Sequence, residues 1–225
     1  MKLTEHKSKK LFYKKYLYKV EFNFDLASIF RSYFQKDNLD YALDKIEEWE
    51  QAIANSKKKT VQIGYYRKTE ITKYDLNDAR ALRDCLNSLS DYRVRQEWND
   101  KLFVYVNDVE TLLDSLKTMN TVHRIRVWRP DPIILKNPDP DLLVSTFAED
   151  YAYKATINFS QLRRKNPTTL NWIKNNRDKI KVTDYSIEWA DSSVGVYVRD
   201  DKVLMLLQMT GNSFISKIER LVLPS

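Results

Sequence analysis

The sequence predicts an α+β protein made of two similar units, and three observations carry that expectation. Glu97-Trp98-Asn99-Asp100, followed by Val104-Tyr105-Val106-Asn107-Asp108, returns as Glu188-Trp189-Ala190-Asp191, followed by Val196-Tyr197-Val198-Arg199-Asp200. Tyr16-Leu17-Tyr18-Lys19 likewise returns as Tyr151-Ala152-Tyr153-Lys154. Around both sets, alternating apolar stretches of strand period are interleaved with stretches of helical period.

Residues 1–10 read as a basic arm without apolar periodicity. Tyr16 to Phe24 alternates as a strand, with Tyr16, Tyr18, Val20 and Phe22 facing a core. Leu39, Leu43, Ile46, Trp49 and Ile53 fall on one helical stripe, and Lys57 to Lys59 suits the negative end of that helix. Val61 to Tyr74 reads as extended or hairpin, and Asp75 or Asn77 can cap a helix reaching Leu89. Tyr92 to Trp98 and Lys101 to Val106 form a hairpin across Asn99-Asp100. Asp108 then caps a helix through Met119, and His123 to Trp128 closes the first unit. Pro130, Pro132, Pro138 and Pro140 mark a linker, because proline neither donates to a ladder nor continues a helix. The second unit repeats the order: strand Tyr153 to Phe159, helix from Pro167 to Asn176, hairpin Val182 to Trp189 with Gly195 to Arg199, helix Lys202 to Met209 capped by Asp200, and strand Ile215 to Leu223.

Strand, helix, strand, strand, helix, strand is the ferredoxin-like arrangement, so two tandem ferredoxin-like (βαββαβ) units are expected. They cover residues 11–129 and 149–225, joined by a proline-rich linker at 130–148. The first carries an inserted hairpin and helix over about 61–89, because Tyr18 to Trp98 spans 80 positions and Tyr153 to Trp189 only 36.

Alternation also assigns the faces. With Leu102, Val104, Val106, Ile125 and Val127 inward, the opposite face of the first sheet presents Lys19, Arg93, Arg95, Phe103, Tyr105, Arg124, Arg126 and Trp128. Cations suit phosphates and aromatic rings suit unstacked bases. Lys14 and Lys15 extend this set from the arm side. The second sheet presents Lys154, Thr156, Asp184, Ser186, Glu188, Tyr197 and Arg199, which are mixed in sign. Trp98 and Trp189 are expected as core anchors at strand ends.

Net charge is +7, but seven of the 38 basic residues and one of the 31 acidic ones fall in residues 1–20, leaving 31 against 30 elsewhere. With glycine only at 64, 195 and 211, glycine-rich phosphate loops are excluded. His6 and His123 are too few for a zinc set, and a carboxylate-only magnesium site would have to draw on Asp139, Asp141, Glu149 and Asp150. Cys85 reads as a small buried hydrophobe. No cofactor is expected. The basic N-terminus lacks the apolar stretch of a secretory signal, and no apolar run is long enough to span a membrane.

The expected function is therefore non-enzymatic binding of single-stranded or structured RNA or DNA. One alternative is a protein-interaction or structural module docking on an acidic protein, as a virion component or host-factor inhibitor. Another is a metal-independent endoribonuclease with His123 as base and Tyr105 or Arg124 nearby. The doubled plan resembles tandem RNA-recognition modules and the repeat-processing endoribonucleases of CRISPR systems. It departs from both: Lys101 to Val106 is not the glycine-containing RNA-recognition signature, and only Gly211 stands where the endoribonucleases carry a glycine-rich loop. The Lys- and Tyr-rich style, with VYVRDDKVLMLLQM after YAYKATINF, looks like small bacteriophage proteins built from such duplicated units. That resemblance implies a cytoplasmic, host-cell setting.

Overall fold

Polar alternation at the very start of the chain already makes a strand. In the computed structural model, which describes residues 1–30, 37–55, 58–63, 67–97, 100–183 and 193–225, β1 (Lys2–Ser8) lies parallel to β7 (Arg124–Pro130), from Lys2 beside Arg124 to Ser8 beside Pro130. This corrects the expectation that residues 1–10 form only a basic arm. An edge strand takes its stability from a neighbour's backbone and needs no apolar face of its own.

The protein is α+β, with two five-stranded mixed sheets. Its chain divides into two units, one of residues Met1–Ser8 with Lys15–Pro130 and the other of Lys9–Lys14 with Asp131–Ser225. In the first, β2 (Tyr18–Asn23), β5 (Tyr92–Glu97) and β6 (Lys101–Val106) join β1 and β7 in the order β1-β7-β2-β6-β5. The crossover from β2 to β5 carries α1 (Asp37–Ala54), the separate hairpin β3 (Thr60–Ile63) and β4 (Arg67–Glu70), and α2 (Lys73–Ser88). The crossover from β6 to β7 carries α3 (Val109–Thr118).

The first core forms where strand alternation meets helical stripes. Val20, Phe22, Leu102, Val104, Val106, Ile125 and Val127 pack with Ile46 of α1, Leu82 and Leu86 of α2, and Leu112 and Leu116 of α3. Each such fully buried side chain contributes roughly 1.5–3 kcal/mol of apolar transfer. The region expected as an insertion is thus part of the core. Cys85 sits buried between α2 and α3, its Sγ 3.8 Å from the Thr111 carbonyl, and burial pushes its thiol up.

Helix α2 starts earlier than expected. Thr72 is its cap, accepting from the Asp75 backbone N–H while Asp75 accepts from the Thr72 backbone N–H at 2.7 Å. Asp75 therefore closes a capping box from inside the first turn. Asp108 caps α3 as expected, accepting from the Thr111 N–H.

In the second unit, α4 (Pro132–Lys136) and β8 (Leu142–Val144) come from the stretch expected as linker. They are followed by β9 (Tyr153–Asn158), α5 (Phe159–Lys165), α6 (Pro167–Asn175), β10 (Ile180–Val182), β11 (Ser193–Val198), α7 (Asp201–Gly211) and β12 (Ile215–Val222). Two helices fill the first crossover where one was expected, because Asn158 caps α5 and Asn166 caps α6. The sheet order is β10-β11-β9-β12-β8, with β8 parallel to β12. Both sheets therefore share one plan. Four antiparallel strands run last, first, third, second, and a further strand lies parallel to the last at the edge. Trp98, Asn99 and the 184–192 stretch with Asp184, Ser186, Glu188 and Trp189 lie outside the described residues.

Candidate nucleic-acid interface

Register builds the open face of the first sheet as three rows. One runs Arg93, Tyr105, Lys19, Trp128, His6; the next runs Arg95, Phe103, Glu21, Arg126, Thr4. The third contains Glu97, Lys101 and Asn23, with the pair Arg124 and Lys2 on β7 and β1 at the same end. All eight strand residues expected on this face are in or beside these rows, and Lys2, His6 and Lys101 join them.

Rings and cations are interleaved more tightly than alternation alone implies. The Lys19 ammonium lies 4.2 Å from the ring centroids of both Phe103 and Trp128. On the far side of Trp128, His6 stacks at 4.9 Å with the ring planes 23° apart. Phe103 and Tyr105, expected to stand open, are each 5% exposed; Lys19 caps Phe103.

Tyr16 corrects a second expectation. Its ring lies 6.5 Å from Tyr105, on the face opposite the core, and its hydroxyl donates to Asp91 at 3.2 Å. Regular alternation begins only at Tyr18, so it cannot assign a residue before that point. Burial first, and then the Asp91 charge, push the Tyr16 phenol up to about 12. Tyr151 repeats this, 6.1 Å from Tyr197, two residues before β9 begins.

Glu21 is the residue that the face assignment missed. It is 7% exposed and accepts from Arg126 at 2.7 Å, with Lys101 at 3.6 Å. The signal was available, since Glu21 follows Lys19 at strand period on the same face. Around Glu21 lies a recess of about 230 Å³ lined by Asn23, Lys101, Arg124 and Arg126. Arg93, Arg95 and Arg124 are all exposed, and Arg95 pairs with Glu97 at 2.6 Å.

Lys14 and Lys15 lie in the turn before β2 and not on a strand. Lys14 adopts φ 61° and pairs with Asp141 at 2.9 Å, and Lys15 pairs with Asp91 at 2.6 Å.

The second sheet's matching row runs Lys181, Tyr197, Lys154, Glu219. Lys154 faces Tyr197 as Lys19 faces Tyr105, but Glu219 stands where the first unit has Trp128 and Gly195 stands where it has Phe103. A Cβ at Gly195 would sit 2.7 Å from the Lys154 Cε, so the lysine occupies the space of the missing ring. Phe147 and Tyr151 cover Tyr197, with Phe147 at 4.6 Å, and Lys181 caps Phe147 at 4.2 Å. This face is closed by its own chain.

Among the described residues, no group of three or more His, Cys, Asp or Glu side chains could hold a metal ion, and no helix is long and apolar enough to cross a membrane. Asp139 pairs with Arg220, and Asp141 with Lys14. Compared with known proteins, the chain matches no family model, no curated protein and no solved structure.

Proposed function

We propose that this chain is a non-enzymatic accessory protein of two tandem ferredoxin-like units, which binds single-stranded or structured RNA or DNA on the first unit's sheet. The strand order supports the fold reading. Leaving aside the parallel edge strand, each sheet runs fourth, first, third, second, with helices in both crossovers. The bacteriophage resemblance gives this reading its expected setting, the host cytoplasm.

One observation carries the functional reading: among the described residues, a single face brings Lys2, Lys19, Arg93, Arg95, Lys101, Arg124 and Arg126 together with Glu21 and Glu97, around Phe103, Tyr105 and Trp128. Lys19 is the moving part. Its contact with the rings is worth about 0.5–2 kcal/mol. A base stacked in its place contributes about 1–3 kcal/mol, and the displaced ammonium gains a phosphate. Exchange of lysine for base is therefore favourable or neutral.

Binding of a labelled single-stranded RNA should weaken with salt, with a log–log slope of about −3 if four phosphates are contacted. Arg93→Ala combined with Arg124→Ala should lower affinity about tenfold or more and flatten the slope by about 1.4. Arg126 is left in place because its removal strands the buried Glu21 carboxylate. Unchanged affinity and slope in the double variant would remove this face from the reading.

A further inference from the structure

The recess beside Glu21 continues past the end of the sheet. A larger cleft of about 800 Å³ shares Asn23 and Arg124 with it. The sign of the lining reverses between the two. The recess has Lys101, Arg124 and Arg126 against Glu21. The cleft has the carboxylates Asp25, Glu70, Asp75 and Asp100 with His123 and Arg124; Asp75 also closes the α2 cap and Glu70 pairs with Lys58 at 3.2 Å. The Tyr74 side chain, 65% exposed, forms part of its wall.

A phosphate is attracted to the first part and repelled by the second, so a nucleic-acid backbone cannot run through the cleft. An uncharged group rich in N–H donors has the opposite preference, because carboxylates only accept hydrogen bonds. The cleft's volume falls within the range of small-ligand pockets and holds a nucleoside. Asp100 keeps acceptor capacity beyond its 3.1 Å bond from Asn23.

Resting on the nucleic-acid reading above, we infer that the cleft receives one nucleobase, attached to the phosphate held in the recess, and selects bases bearing an exocyclic amino group. Cytosine, adenine and guanine present such donors. Uracil presents one ring N–H between two carbonyl oxygens, and those oxygens face the carboxylates unfavourably. Tyr74 supplies an aromatic surface for the base.

The test is fluorescence anisotropy of the full chain with labelled twelve-nucleotide oligo(rC), oligo(rA) and oligo(rU) at one salt concentration. Oligo(rC) and oligo(rA) should bind about tenfold more tightly than oligo(rU). Asp25→Ala and Asp100→Ala should each bring that ratio towards one. Tyr74→Ala alters an exposed side chain, so it reduces the ratio without endangering the fold. Equal affinities in the native chain, or a ratio untouched by all three variants, would overturn the base site and leave the basic face standing. Failure of all three oligomers to bind would overturn the nucleic-acid reading and the base site with it.

Discussion

Glu219 shows how one residue can carry the acid stability of the second unit. It is 3% exposed and accepts from Lys217 at 2.5 Å and Lys10 at 3.2 Å. Burial alone would raise its carboxyl, but the bonds and charges of Lys217 and Lys10 outweigh that and hold it below the ordinary 4.5. A carboxyl held low in the fold stabilises the protein fully above its unfolded value. That contribution disappears as pH falls through the folded value. Lys217→Met removes the nearer ammonium and leaves burial and Lys10 in opposition. The carboxyl should rise, and acid unfolding should begin at a higher pH. Far-UV circular dichroism followed from pH 6 to pH 2 in both proteins measures this, and superimposable curves would mean the triad does not govern acid stability. In the first unit's sheet, Glu21 is likewise buried and paired, with Arg126 and Lys101. Strand period placed Glu21 beside Lys19 on one face, but its partners, like those of Glu219, are set by cross-strand register.

At the scale of elements, local signals were legible and long-range ones were not. Asp108 and Asp200 cap helices through N–H groups three residues away, so a short window contains the whole interaction. The alternation of Val20, Phe22, Val104 and Val106 is equally local. Strand β1 is different, because its partner lies more than 120 residues away and its own sequence, Lys-Leu-Thr-Glu-His-Lys-Ser, has no apolar face. Strand β8 is three residues long, shortly after Pro140, and is likewise defined by β12. A strand so placed has a consequence that a solvated tail lacks. Deleting residues 1–8 removes seven paired positions, the His6 stack on Trp128 and the Glu5 partner of Arg129, which also bonds Glu110 in α3. It also bares the β7 edge. The truncated protein should melt several degrees lower, since about 1 kcal/mol displaces Tm by roughly 2–4 °C in a chain of this size. Differential scanning calorimetry without nucleic acid decides it, and an unchanged Tm would return these residues to the status of a tail.

At the scale of the whole molecule, a duplicated plan carries two different surfaces. Both units keep the Tyr-x-Tyr-Lys entry, the lysine opposite a tyrosine, the capped helix and the parallel edge strand. They part where Phe103 and Trp128 are matched by Gly195 and Glu219, and where Phe147 and Tyr151 close over Tyr197. The divergence could be read in part, since Gly195 and Tyr197 appear within the repeated motif. Closure by Phe147 could not, because that residue lies in a stretch whose prolines suggested only a linker. With Gly195 and Glu219 in place of Phe103 and Trp128, and Phe147 and Tyr151 over Tyr197, the second face presents fewer rings to a base. Nucleic acid should therefore occupy one unit of each chain. Lys181→Ala, which removes the cation above Phe147, should leave affinity for single-stranded RNA within about twofold, whereas Arg93→Ala with Arg124→Ala lowers it at least several-fold. Titration calorimetry with a short oligomer should give one strand per chain. Two equivalent sites, or equal losses from the two sets of variants, would mean that the second sheet binds as the first does and that its covering segment lifts away.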